Sequence, residues 1–161
     1  MKKYSSLLIL FLFPFMYQLN AQTEKGTMLL GGNAAFISQN GESIFSLNPR
    51  IGLFAAENLA IGLNATFITG SGSTIYDVGP FVRSYFGSSS HGKFFAQGTV
   101  GYSGFSTDFG SDSDFSWGLG AGYAFFLNPN IALEIGPQYS KTGSRDGIFS
   151  FVVGFQIHFK K

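Results

Sequence analysis

The chain is expected to fold as an all-β protein, an eight-stranded antiparallel up-and-down transmembrane β-barrel. Three observations lead there. After the first 25 residues, eight segments of about ten or more residues alternate in hydrophobicity with period two, and none carries a 3.6-residue stripe. Charged residues make up only 12% of the chain while aromatics reach 17%, with 20 Phe and 22 Gly. The last segment, from Ile148 to Phe159, has one face built almost wholly of aromatic and aliphatic residues and ends two lysines before the C-terminus.

The N-terminus reads as a secretory signal rather than a retained membrane helix. Lys2 and Lys3 start it, Leu7 to Phe15 form an apolar core, and Leu19-Asn20-Ala21 marks the cleavage region, so residues 1–21 are expected to be removed. The apolar run is short for a span, and Pro14 interrupts it. Residues 22–161 then form one domain. The net charge of +1 argues against nucleic acid as a partner, and the absence of cysteine excludes disulfide, thiolate and lipid-on-cysteine chemistry.

The expected strands lie at Gly26–Ile37, Ser43–Phe54, Leu59–Thr69, Ile75–Phe86, Lys93–Phe105, Asp114–Phe126, Ile131–Lys141 and Gly147–Phe159. Tight separators at Ala55–Asn58, Gly87–Gly92 and Asn128–Asn130 alternate with loops at Ser38–Glu42, Gly70–Thr74, Ser106–Ser113 and Thr142–Asp146. Three turns and four loops are what an eight-stranded meander needs, and both termini then share the turn end, the periplasmic end in such barrels. A short repeat, Asn58-Leu59-Ala60-Ile61 against Asn130-Ile131-Ala132-Leu133, follows two of the turns. Pro49, Pro80 and Pro137 fall inside strands on the bulky face, where each removes a ladder donor, and local bulges are expected there.

Strand parity separates a bulky set, such as Leu47, Ile51, Leu63, Val82, Trp117 and Leu133, from a small or polar set that includes Asn48, Arg50, Asn64, Asp77, Arg83, Gln97, Gly120 and Glu134. A soluble sandwich or lipocalin-like barrel would bury the bulky face, and a membrane barrel would turn it to lipid. Charge density decides between them. A wet surface would carry about a quarter to a third Lys, Arg, Asp and Glu; the polar face here has a handful diluted by glycine. Aromatics near segment ends fit two interfacial girdles, Phe54, Phe86, Phe94, Phe125 and Phe159 at one end and Phe36, Tyr76, Phe105 and Tyr139 at the other. Lipid is therefore the expected partner.

Several stretches resemble the small outer-membrane β-barrel domain family, the eight-stranded porin-family-like proteins of Gram-negative outer membranes. Asn48-Pro49-Arg50-Ile51-Gly52-Leu53-Phe54 with Asn58-Leu59-Ala60-Ile61-Gly62 is similar to that family's first periplasmic hairpin. Gly79-Pro80-Phe81-Val82-Arg83-Ser84-Tyr85-Phe86 resembles its fourth strand, Phe94-Phe95-Ala96 with Val100-Gly101-Tyr102 its fifth, and Ala132-Leu133-Glu134 its seventh. The ending is similar to an insertion signal in which Gly154, Ile157 and Phe159 are read by the barrel-assembly machinery. Lys160 and Lys161 after the aromatic, and Val152 in place of a polar residue, depart from that pattern. The resemblance implies the fold and the outer membrane, and no particular activity.

Arg50, Arg83 and Glu134 are the sharpest constellation. All three share lumen parity about four residues from a tight turn, on the second, fourth and seventh segments, so their long side chains are expected to meet on the axis as an internal ion-pair network. A gate or selectivity constriction is the functional alternative. Asp108, Asp112 and Asp114 lack calcium-loop spacing and read as a solvated acidic loop. A lipid-modifying enzyme would need a nucleophile, histidine and carboxylate on one wall. His91 falls in a turn and His158 near the interface, so no enzyme, cofactor or metal site is expected. The reading is a monomeric barrel with a largely filled lumen and a structural or small-ligand role; a narrow channel for small solutes or ions is the alternative.

Overall fold

The computed structural model describes residues 23–39, 42–70, 72–89, 91–107 and 110–160, without the side chains of 35–39, 42 and 107. The expected signal, residues 1–21, lies outside the described residues, as do Asp108 and the side chain of Phe36. The strands are β1 (Met28–Gln39), β2 (Glu42–Ala56), β3 (Leu59–Gly70), β4 (Ser73–Phe86), β5 (Gly92–Thr107), β6 (Gly110–Asn128), β7 (Ile131–Thr142) and β8 (Ile148–Phe159). Each pairs antiparallel with the next, and β1 with β8, closing the barrel in sequence order.

Parity sorts the side chains as the alternation requires. Leu63, Val78, Leu119 and Phe151 are 55–66% exposed on the outside. Arg83, Gln97, Glu134 and Gln156 are buried inside. Among the described strand residues of outward parity, Lys141 near the loop end of β7 is the one charged side chain. A surface this apolar costs too much in water and suits hydrocarbon.

Outward rings cover glycines where the sheet lacks side chains. Tyr76 lies over its cross-strand partner Gly104, and Tyr139 over Gly147. Phe94, Tyr123 and Phe125 form an edge-on aromatic row near the turn end, with centroid spacings of 4.8 and 4.5 Å.

Four expectations need correction. The strand prolines make no bulges: each keeps its register and is paired on one side only. Pro49 pairs with Gly32, Pro80 with Leu63 and Pro137 with Phe151, so the missing N–H costs a rung toward the opposite neighbour and leaves the count intact. The register shifts fall instead between Phe54 and Ala56 and between Phe126 and Asn128, beside two tight turns. Second, the stretch Ser106–Ser113 is no long loop, because Ser106 pairs with Ser111 and Thr107 with Gly110. Serine and aspartate there decorate an extended hairpin.

Third, two girdle residues point inward. Phe54 is fully buried and Phe105 has the parity of Gln97, while Phe86, Phe94, Phe125 and Phe159 stay outside. Fourth, His158 is not interfacial. It is fully buried among the rings of Phe54, Tyr85 and Phe126 at centroid distances of 5.5, 6.3 and 5.5 Å.

The short repeat has a structural counterpart. Phe54 pairs with Ala60 and Phe126 with Ala132, each large inward ring facing an alanine that is buried for that reason. The Asn58 carbonyl accepts from the Tyr85 N–H at 2.8 Å and the Asn130 carbonyl from the His158 N–H at 2.7 Å. Asn58, with φ of 60°, takes the left-handed position of its turn, which asparagine tolerates. The two hairpins face each other across the barrel and build the same floor from opposite sides.

Candidate functional site: the charged layer of the lumen

The turn end of the lumen is packed with rings. Phe54, Tyr85, Phe95 and Phe126 are all less than a tenth exposed, and Phe81 joins them higher up against Gly52 and Gly62. The N-terminal segment runs beneath this floor. Its Thr23 carbonyl accepts from Asn58 N–H at 2.7 Å, and Lys93 Nζ donates to Thr23 Oγ1 and Asn58 Oδ1 at 2.8 and 2.6 Å. Outside it, exposed Lys160 pairs with Glu24; that hydrogen bond first, and the charge second, hold the Glu24 carboxyl below its usual range.

Above the floor lies the charged layer. Arg83, projected from β4 beside Tyr85, is 2% exposed. Its Nε donates to Gln97 Oε1 at 2.8 Å, and its Nη1 donates to Glu134 Oε1 at 2.5 Å and Tyr85 Oη at 3.1 Å. The guanidinium also lies 4.3 Å from the centre of the Phe95 ring. Glu134, from β7 on the far wall, receives the Tyr85 hydroxyl on Oε1 and the Gln156 amide on Oε2, both at 3.2 Å. One carboxylate is thus held by donors from β4 and β8 at once.

Arg50 is different. It enters from β2, and its Nη1 comes within 3.8 Å of Glu134 Oε2, too far for a hydrogen bond. Its guanidinium lies 5.5 Å from the Phe81 ring centre. Among the described residues it makes no hydrogen bond, and Arg50 Nε is buried without a partner. The three residues singled out in the sequence therefore come together with unequal engagement.

Sequence reasoning missed the aromatic floor and the roles of Tyr85, Gln97 and Gln156. The signal was present: the parity that places Arg83 inside also places Phe81 and Tyr85 there, and Gly154 carries Gln156 and His158 with it.

A cavity of about 40 Å³ adjoins the charged layer, lined by Arg50, Arg83, Gln97, Glu134 and Gln138 and reaching Gly32 and Gly154 on β1 and β8. Among the described residues, β1–β8 pairing runs from Met28↔Phe159 to Gly32↔Phe155, so the cavity begins where that pairing ends. Gly154 is buried at this point, its absent side chain leaving room for the Gly32 carbonyl. Ile157 and Phe159 stand farther down the strand, Phe159 half-exposed on the outside. Asp112, in the exposed β5–β6 hairpin, pairs with Arg145 at 3.6 Å, and Asp114 caps the Phe115 N–H. No group of three or more His, Asp or Glu among the described residues is placed to hold a metal ion.

No protein-family model matches the sequence, and no curated protein matches it at a significant level. Solved structures do. The N-terminal β-barrel domain of Pseudomonas aeruginosa OprF matches with a TM-score of 0.67 at 11% identity, over 86% of this chain and 100% of that one. Neisserial surface protein A matches with a TM-score of 0.64 at 17% identity, over 83% and 96% of the two chains. The outer-membrane protein OprG from Pseudomonas aeruginosa matches with a TM-score of 0.57 at 11% identity, over 86% and 98%. At these identities the likeness carries the fold, and the apolar exterior carries the environment. The chain has the fold of the small eight-stranded outer-membrane β-barrels, and its apolar exterior is that of an integral membrane barrel.

Proposed function

We propose that the protein is a small, monomeric outer-membrane barrel whose lumen its own side chains close, serving a structural or small-ligand role at the membrane rather than bulk transport. The observation that carries this is the Arg83–Glu134 pair at 2.5 Å across the lumen, roofing an inward layer of five buried rings from Phe54, Tyr85, Phe95, Phe126 and His158. Side chains from opposite walls leave little free cross-section between them. The cavity of about 40 Å³ beside the pair has room for a few waters and not for a hydrated solute stream.

The same reading takes residues 1–21 as the export signal and Gly154, Ile157 and Phe159 as the insertion signal read by the assembly machinery. Catalysis, nucleic-acid binding and a cofactor have no part in it. A narrow channel for small solutes or ions is the second reading, favoured by the loose 3.8 Å contact between Arg50 and Glu134. Planar-bilayer recording of the refolded protein, with a heat-modifiability gel to verify the barrel, separates the two. Near-zero conductance in the wild type and in Glu134→Ala is expected for a lumen closed at several levels and sinks the gate. Steady wild-type conductance overturns the closed lumen.

A further inference from the structure

We infer that the cavity beside Arg50 is a binding site for one small monovalent anion of halide size. The argument begins with charge. Arg50 and Arg83 confront one carboxylate, Glu134, and among the described residues neither guanidinium is ion-paired to another acid. Besides Glu134, the described carboxylates of inward parity, Asp77, Asp112 and Asp114, stand farther toward the loop end, Asp77 engaged by the Ser116 hydroxyl, and Lys93 is bonded below the floor. Within the charged layer itself two guanidiniums face one carboxylate, a local excess that is costly unless a counter-charge or hydration offsets it.

The excess is localised. Arg83 spends its donors on Gln97, Glu134 and Tyr85, whereas Arg50, with its side chain 11% exposed, makes no hydrogen bond among the described residues. The free guanidinium borders the cavity, as do Gln97 and Gln138, whose amides carry donors. The volume fits the ligand. A cavity of about 40 Å³ exceeds the roughly 10–15 Å³ that one water needs on this measure, which leaves room for a small anion together with a water. Gln156 Oε1, buried without a partner, needs a donor; one water beside the anion supplies it and donates to the anion with its second hydrogen. Water alone would satisfy the hydrogen bonds and leave the charge.

This inference rests on the closed-lumen reading in one respect: an open lumen would let bulk water hydrate Arg50. The test is anomalous diffraction from crystals of the refolded barrel soaked in sodium bromide, with ³⁵Cl line broadening in solution as a second measurement. A bromide peak within hydrogen-bonding reach of the Arg50 guanidinium is expected in the wild type. It should vanish in Arg50→Met, which removes the donor, and in Gln138→Glu, which supplies the missing negative charge from the wall. Specific ³⁵Cl broadening should fall at least tenfold in both, and heat-modifiability shows that both variants fold. A wild-type cavity holding only water, or broadening unchanged in both variants, overturns the site. Bilayer conductance keeps the two readings apart. A closed lumen without halide refutes the anion alone, and a conducting lumen with the bromide peak refutes the closure alone.

Discussion

Replacing Glu134 by glutamine tests the charged layer most directly, because it keeps the shape and removes the charge. In the wild type one carboxylate accepts from Arg83 at 2.5 Å, from Tyr85 and Gln156 at 3.2 Å, and faces Arg50 at 3.8 Å. Without it two guanidiniums share the interior uncompensated. Removing one partner of a buried ion pair costs about 3–5 kcal/mol, or roughly two to three and a half powers of ten in the folding equilibrium. Arg83→Met should cost as much, because it strands the same carboxylate. Arg50→Met should cost under about 1 kcal/mol or stabilise, since a pair with no hydrogen bonds to lose is replaced by a balanced one-to-one charge. Urea unfolding from lipid vesicles, followed through Trp117, the chain's single tryptophan and a residue of the outer face, reads all three. A loss below about 1 kcal/mol for Glu134→Gln, or a larger loss for Arg50→Met than for Arg83→Met, refutes the unequal roles assigned here.

Other substitutions probe the rest of the barrel. Leu119, 60% exposed midway along β6, should cost about 2–4 kcal/mol as Leu119→Arg if it meets lipid; a change within about 0.5 kcal/mol, as at a wet surface, would contradict that environment. Gly122→Ala pushes a methyl against the Ile135 carbonyl and to 2.8 Å from the Phe95 ring, and should lose about 1–3 kcal/mol in the same assay. Gly98→Ala meets nothing nearer than Leu119 Cδ2 at 3.9 Å and should be neutral or stabilising; equal losses at the two glycines would sink the packing argument. Deleting the side chain at Phe159 should lower the yield of heat-modifiable barrel in the outer-membrane fraction more than Phe151→Ala does, and equal yields would remove the insertion role.

The period-two alternation was enough to read all eight strands and their order, because in a closed antiparallel sheet the face of every residue follows from counting. β6 departs farthest from its pattern, beginning at Gly110 rather than Asp114, since polar residues above the membrane pair as readily as apolar ones and leave no hydrophobic trace. The prolines misled for a related reason. A strand residue offers its N–H to one neighbour only, so Pro49, Pro80 and Pro137 can each forfeit a rung without adding a residue. Counting also places Arg50, Arg83 and Glu134 on one face. What it cannot express is that the Arg83 guanidinium is hydrogen-bonded and the Arg50 guanidinium is not, which depends on the height at which each side chain crosses the axis. The inward rings are countable as well, and Phe54 and Phe105 show that strand parity overrides the interfacial preference of aromatics near strand ends.

The two halves of the barrel account for why the charge imbalance arises where it does. Across the barrel, Tyr85 and His158 occupy matching places above matching turns, and two residues before them stand Arg83 and Gln156. Both reach Glu134, one with a full charge and one with an amide. Had the second half also carried arginine, Glu134 would face three cations; with glutamine there, Arg83 alone neutralises it. Arg50 is then the surplus cation, and its place beside an unfilled volume of about 40 Å³ follows from the same asymmetry. Glycine stands at Gly122, the position in the other half that matches Arg50, and the Phe95 ring occupies the space over it, so that position adds no second cation. A chain selected only to fill its lumen could have replaced Arg50 with an apolar side chain at little cost in stability. The guanidinium therefore points to a requirement other than packing, and an anion beside it is the requirement that the geometry meets.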